Sequence, residues 1–281
     1  MSAGVAPSAA FLRACDLDVA VRKPGNVSAA SAGHGMDATV FRAAARAAAP
    51  ALFASGKPVG RRIEAAVDAA CAAVGCNANL GIVLLCAPIA AALEEAPRAR
   101  SAAMLRDRVE KRLGTLDVDD ARAAFRAVAR ANPGGLGYAG EHDVRGVPTL
   151  DLRAAMRLAA DRDSIARQYA NGFADVFDDG VPLFARVART SVERAMLATF
   201  LDFLRRWPDS HVARKHGLDV ASALSRDAAA RSAGYGEDCG RAQPEDIAAW
   251  DVALKARGIN PGTSADLAVA AAFVCFALGE A

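Results

Sequence analysis

Aromatic side chains make up only 6% of this 281-residue sequence, and β-branched residues are sparse beside its alanine. A sheet protein would favour the residues that are scarce here, so a β architecture is excluded at the level of composition. An excess of one charge is also missing: 34 Lys and Arg face 32 Asp and Glu, a formal net charge of +2. A nucleic-acid binder concentrates basic charge on one face, and the densest basic cluster (Arg100, Arg106, Arg108, Lys111, Arg112) alternates with Asp107 and Glu110, as on a solvated helix face. No run reaches the ~18 apolar residues of a membrane span. The most apolar, Leu267–Leu278, is too short and reads as a buried core helix. The first twenty residues lack a signal pattern, because Arg13, Asp16 and Asp18 interrupt them. The six cysteines (15, 71, 76, 86, 239, 275) form no C-x-x-C pair and fit buried free thiols of a cytoplasmic protein.

Alanine is abundant, and it has the highest helix propensity. Helical spacing then recurs along the chain. Ile63, Val67, Cys71 and Val74 follow one face, with Arg61, Arg62, Glu64 and Asp68 between them. Val192, Met196, Phe200 and Phe203 mark a long helix over Pro182–Trp207, and Leu105, Val109 and Leu113 mark another. Further helices are expected near 8–21, 37–55, 79–95, 118–131, 151–161, 208–225, 244–257 and 263–278. No linker or composition shift divides the chain. The expectation is an all-α, single-domain, multi-helix bundle over residues 1–281 with functional loops between helices. Its alanine-rich faces would permit close homodimer packing.

Five short segments combine Gly or Pro with polar residues. Lys23-Pro24-Gly25-Asn26-Val27 puts a lysine beside a glycine turn, which suits a phosphate as well as a helix C-terminus. Asn77-Ala78-Asn79-Leu80-Gly81 either caps a helix or presents its N–H groups to an anion. The loop Pro133–Asp143 holds four glycines with Glu141 and Asp143, hard oxygen ligands suited to Mg²⁺ with substrate phosphates. Asp209 to Gly217 gathers a carboxylate, Arg214, Lys215, His211 and His216, more than an N-cap requires. In Gly258–Leu267, Thr263 and Asp266 fit a capping pattern.

Taken together and in order, these segments resemble the triphosphoribosyl-dephospho-CoA synthase family. Its K-P-G-[LN]-V is matched by Lys23–Val27, and its N-T-[HN]-[KL]-G is similar to Asn77–Gly81. Its G-A-R-G-E-A-E loop is similar to Gly137–Asp143, its D-[ST]-[NH]-V-A to Asp209–Ala213, and its P-G-G-S-A-D-L to Pro261–Leu267. The resemblance implies an all-helical pentosyltransferase that moves a 5-triphosphoribosyl group from ATP to the ribose 2′-hydroxyl of 3′-dephospho-CoA, releasing adenine. ATP and 3′-dephospho-CoA are then its partners and Mg²⁺ its cofactor, with no nucleic acid and no membrane. Carried onto this chain, the resemblance implies Glu141 and Asp209 as catalytic residues and Glu141, Asp143 and Asp209 as metal ligands. Lys23, Asn26, Asn77, Asn79, His211, Lys215 and Asp266 would bind substrate. Leu80 and Ala139 stand where the family carries Lys and Arg, and Ser210-His211 replaces Thr-Asn. These departures mark a divergent branch. The alternatives are a ribosyl or phosphoribosyl transferase of another cofactor pathway, such as methanopterin-type one-carbon cofactor synthesis, or a non-catalytic nucleotide-binding protein on the same scaffold.

Overall fold

The computed structural model describes residues 5–95, 101–236 and 238–281, so Arg100 of the basic cluster lies outside the described residues. Among them the chain forms fourteen α-helices, one π-helical turn and no strand. The all-α expectation therefore holds. Two helices occupy the centre: α4 (Leu80–Glu95) and α14 (Gly262–Leu278). Both are apolar on every side, and a helix without a polar face has to be surrounded. Ile82 to Leu93 are all buried, as are Leu267 to Phe276.

The remaining helices pack around this pair. α1 (Pro7–Ala20) and α10 (Val192–Arg206) flank α14. The layer of α2 (Ala38–Leu52), α3 (Val59–Val74) and α6 (Val118–Ala131) lies outside α4. α5 (Ala102–Leu113), α7 (Leu152–Arg157) and α8 (Ser164–Asn171) close one side. The π turn (Asp175–Gly180) runs straight into α9 (Val181–Ala188), which also touches α14. α11 (Ser210–His216), α12 (Leu218–Tyr235) and α13 (Pro244–Ala256) complete the chain. Alanine lets the axes approach closely, and the few aromatics are spent where three elements meet. Phe11, Phe53 and Phe273 contact one another edge to face with centroids 5.7–6.0 Å apart.

Side-chain caps set many of the helix starts. Asp37, Ser101, Asp117, Asp151, Asp163, Ser191 and Asp209 each accept a main-chain N–H of the first turn. Two caps explain where the periodicity reading misses breaks. The expected helix Pro182–Trp207 is two helices, because Ser191 starts a new one after residues 189–190. The expected helix 208–225 is likewise two, parted at Gly217, whose φ of 90° no helix accommodates. The second piece runs on to Tyr235. α8 and the π turn were not foreseen, since eight- and six-residue elements carry too few turns to show a period.

Arg62 also departs from its expected solvated face. Its side chain is buried and donates to the carbonyls of Leu52 (3.0 Å) and Lys57 (2.8 Å) and to Glu94. It thereby satisfies chain ends that no amide reaches. A comparable repair holds the centre of α4. Pro88 has no N–H, so the Leu84 carbonyl loses its in-helix donor. The fully buried Tyr169 hydroxyl replaces it at 2.7 Å. Tyr169→Phe strands that carbonyl away from water and is expected to cost about 1–3 kcal/mol in urea unfolding. An unchanged midpoint would mean that the carbonyl finds another donor.

Candidate active site

Because α4 and α14 are buried, their N-terminal ends lie inside the protein, and the first amides of each helix need partners there. Polar residues collect around them. Asp209 stands at the meeting point of α11 and α14. Its Oδ1 accepts the amides of His211 (3.0 Å) and Val212 (3.1 Å), and its Oδ2 accepts the amide and hydroxyl of Ser264 (both 2.8 Å). Both oxygens of this buried carboxylate are occupied. Burial nevertheless raises its pKa, against the four donors. Ser210 ties in α8 by accepting the Ser164 amide at 2.8 Å, and Arg214 pairs with Asp163 of the same helix start at 2.7 Å.

Asp266 is the opposite case. The capping pattern read from Thr263 and Asp266 does not form, because α14 begins at Gly262 and Thr263 Oγ1 accepts the His211 amide instead. Among the described residues no hydrogen bond or ion pair reaches the Asp266 carboxylate. It leans on Gly81 in the first turn of α4, and a methyl group at position 81 would overlap it. Glycine is required there by this approach. Burial drives the Asp266 carboxyl well above the usual carboxylate range, and the negative charges of Asp18, Asp209 and Asp163 push the same way while Arg214 opposes them. Next to Gly81, Asn79 takes a left-handed φ of 67° and donates to the Phe41 carbonyl at 2.9 Å. Asn77 is half-buried just before it.

The third contributor is the loop from residue 21 to 37. Lys23 is fully buried, and its ammonium donates to the carbonyls of Asp18 and Val21 (3.4 Å) and faces the Asp18 carboxylate at 3.1 Å. It satisfies the C-terminal end of α1 rather than facing solvent, which is the helix-end reading of this lysine. Asp18 belongs to the same cluster but to none of the five segments. Its carboxylate is met by the Lys23 ammonium, and burial raises its pKa against that pull. Gly25 (φ 80°) lies against α13 and α14, where a Cβ would come within 2.7 Å of the Ile259 carbonyl. Asn26 then donates to Asn260 at 3.0 Å, and the His34 ring bonds the Gly25 carbonyl at 2.8 Å.

The glycine loop arrives from the far side. Gly135 packs so tightly on α11 that a Cβ would stand 2.5 Å from the Arg214 carbonyl, and the stem of the exposed Lys215 covers Gly134. Asp143 is buried, and its oxygens accept the Ala139 and Arg145 amides (both 2.9 Å), which hold its carboxyl below the usual range. Glu141 is exposed on the same loop. The fold therefore assembles Asn26, Asn79, Asp209, His211 and Asp266 around two buried helix starts, with Lys215 and the glycine loop at the rim. It does not gather Glu141, Asp143 and Asp209 into one ligand set. Among the described residues no three His, Cys, Asp or Glu side chains are disposed to hold a metal ion.

A profile of the ATP:dephospho-CoA triphosphoribosyl transferase family matches residues 5–280. No curated protein matches the sequence. A solved structure from Archaeoglobus fulgidus, provisionally named a triphosphoribosyl-dephospho-CoA synthase, superposes with a TM-score of 0.66 at 22% identity. The match covers 85% of this chain and 99% of that one, and at this identity it supports the fold.

His211 supplies a test of the site's electrostatics. Burial first, then the charges of Arg214 and Lys215 and the neighbouring His34 and His216, lower its pKa from 6.5 to about 4. The unfolded chain takes up this proton before the folded one does. The stability held by the neutral ring is thus complete above pH 6.5 and is lost as the pH falls toward 4. The wild-type melting temperature should fall more steeply over that window than that of His211→Gln. Equal slopes would show that the ring is not held neutral.

Proposed function

Since the chain belongs to the ATP:dephospho-CoA triphosphoribosyl transferase family and is a transferase of the triphosphoribosyl group from ATP to dephospho-CoA, we propose how its own residues carry the reaction. The ribose 2′-hydroxyl of 3′-dephospho-CoA attacks the anomeric carbon of ATP, a C–O bond forms, the C–N bond to adenine breaks, and the triphosphate stays on the sugar. The hydroxyl loses one proton and adenine gains one. Positive charge develops on the sugar, so a carboxylate beside it stabilises the transition state, as in glycoside hydrolysis.

The observation that carries the assignment is the Asp266 carboxyl. It is partly buried and free of protein donors, and its raised pKa lets it hold a proton for the departing base. Glu141, exposed on the glycine loop, accepts the hydroxyl proton when the substrates are in place. Asp209 acts differently: its four donors make it the anchor that fixes α11 against α14. The triphosphate lies along the loop amides of residues 134–140 with Lys215 beside it, a cation that meets no carboxylate in the described structure. Asn26, Asn77 and Asn79 orient the sugar, and Lys23 holds the turn that presents Asn26.

Mg²⁺ enters as the counter-ion of ATP. The Glu141, Asp143 and Asp209 set does not suit a resident ion, because amides and a hydroxyl already occupy the oxygens of Asp143 and Asp209. No step is routed through such an ion. The six thiols are free, four of them buried, and no helix among the described residues is long and apolar enough to cross a membrane. Both support a cytoplasmic enzyme. A second reading, a related ribosyl transferase with another acceptor, draws on Leu80 and Ala139 in place of the family's Lys and Arg.

The test is free adenine released from Mg-ATP with and without 3′-dephospho-CoA, separated by chromatography. Release is expected only with the acceptor. Asp266→Asn should lower turnover by roughly 10²–10⁴-fold with the fold intact, and Glu141→Gln should lower it with unchanged ATP binding. Asp209→Asn should lower the melting temperature. Full activity in Asp266→Asn would overturn the assignment, and release with a different acceptor alone would establish the second reading.

A further inference from the structure

The carboxylate centre poses a problem of charge, because both substrates are polyanions. Arg214 is already paired with Asp163 and Lys23 with Asp18, and burial keeps His211 neutral at pH 7, so none of these is free to meet a phosphate. Lys215 and the glycine loop can receive one chain of phosphates. The second substrate carries its own diphosphate and needs cations elsewhere.

A groove between α1 and α2 has them. Its volume is about 860 Å³, within the ~300–1,000 Å³ of small-molecule sites. Three guanidinium groups line it, from Arg13, Arg42 and Arg46, against the one carboxylate of Asp16. Arg13 lies flat over the Phe276 ring, 3.8 Å from its centre, and Arg42 is steadied by Asp16 at 3.3 Å. Arg46 is exposed and meets no carboxylate among the described residues. Arg42 and Arg46 stand four residues apart on one helix, a like-charge pairing that weakens a helix unless an anion joins it. Leu17, Val192 and Phe276 give the groove an apolar wall.

Its position links it to the site already described. Ala20 and Thr39 line one end of the groove, and they are the last and second residues of α1 and α2. Between them in the chain lies only the loop that carries Lys23, Asn26 and His34. Asp18 faces the reacting centre from the same last turn of α1 whose outer side forms the groove. Phe41, which receives the Asn79 side chain, sits beside Arg42. The groove thus adjoins the helix turn that carries Asp18 and the loop that carries Lys23 and Asn26.

We infer that this groove is the acceptor site, taking the diphosphate of the 3′-dephospho-CoA on Arg42 and Arg46. Guanidinium groups suit the part, since two parallel N–H donors match two phosphate oxygens. The inference rests on the activity proposed above and adds where the second substrate lies.

Binding of 3′-dephospho-CoA and of Mg-ATP is measured separately by calorimetry on the full chain, together with steady-state adenine release. Arg46→Glu and Arg42→Glu should each weaken 3′-dephospho-CoA by about tenfold or more and raise its KM, leaving Mg-ATP affinity within twofold. Arg46→Lys should recover part of the loss. Unchanged acceptor affinity in a wild-type-active protein overturns the groove and leaves the activity standing. Equal weakening of both nucleotides overturns it too, as does a changed oligomeric state at constant affinity, which would make the face a contact between copies. A wild-type protein that neither binds nor uses 3′-dephospho-CoA overturns the activity reading and the groove with it.

Discussion

Burial of two helix N-termini is the constraint on which this structure depends. α4 and α14 carry no polar face, so packing drives them to the centre along their whole length. The first turn of a helix always leaves donors without in-helix partners. In a surface helix water satisfies them, but here side chains from elsewhere in the chain must do so. Asp209, at the start of α11, accepts the Ser264 amide in the first turn of α14. The polar interior of this protein is thus a consequence of its most apolar segments.

Once such a pocket exists, its members divide by how fully they are satisfied. Asp209, Asp143 and Lys23 have their hydrogen-bonding capacity met by main-chain groups and a few side chains, and they hold the surroundings in place. Asp266 is partly buried and accepts no protein hydrogen bond, while the buried Asp18 carboxylate is met by the Lys23 ammonium alone. An unsatisfied buried carboxyl is costly, and its proton affinity rises accordingly. That combination is uncommon away from functional sites, because nothing in folding favours it. The fixed residues hold the surroundings in which Asp266 stays without a donor.

The glycines follow from the same economy of space. Gly81 is needed because a carboxylate rests on it, Gly25 because two helices press on the turn, and Gly135 because α11 lies beneath the loop. At each, a side chain would push apart elements that the site requires in contact. Charged residues on the outer layer, such as Arg126 with Glu64, contribute little by comparison, since water already screens them.

Much of this was legible in the sequence. Alanine content and helical spacing specified an all-α chain, since propensity and period are local properties that survive without tertiary context. Segments such as Asn77–Gly81 and Asp209–Ala213 stood out because turn chemistry restricts them to few residue types. Ser191 and Gly217 were visible too, yet whether a cap breaks a helix depends on the neighbours that the break allows. Arg62 gave no sign of burial, because its partners are carbonyls from Leu52 and Lys57 and a carboxylate more than thirty residues away. Asp18 lay outside every segment, and only the packing of α1 against α14 places it beside Asp266. The sequence by itself determined the helices and nominated the polar residues, because those depend on near neighbours. Tertiary structure alone decided which carboxylates are tied and which are free, since a hydrogen bond between distant positions exists only after the chain has closed around it.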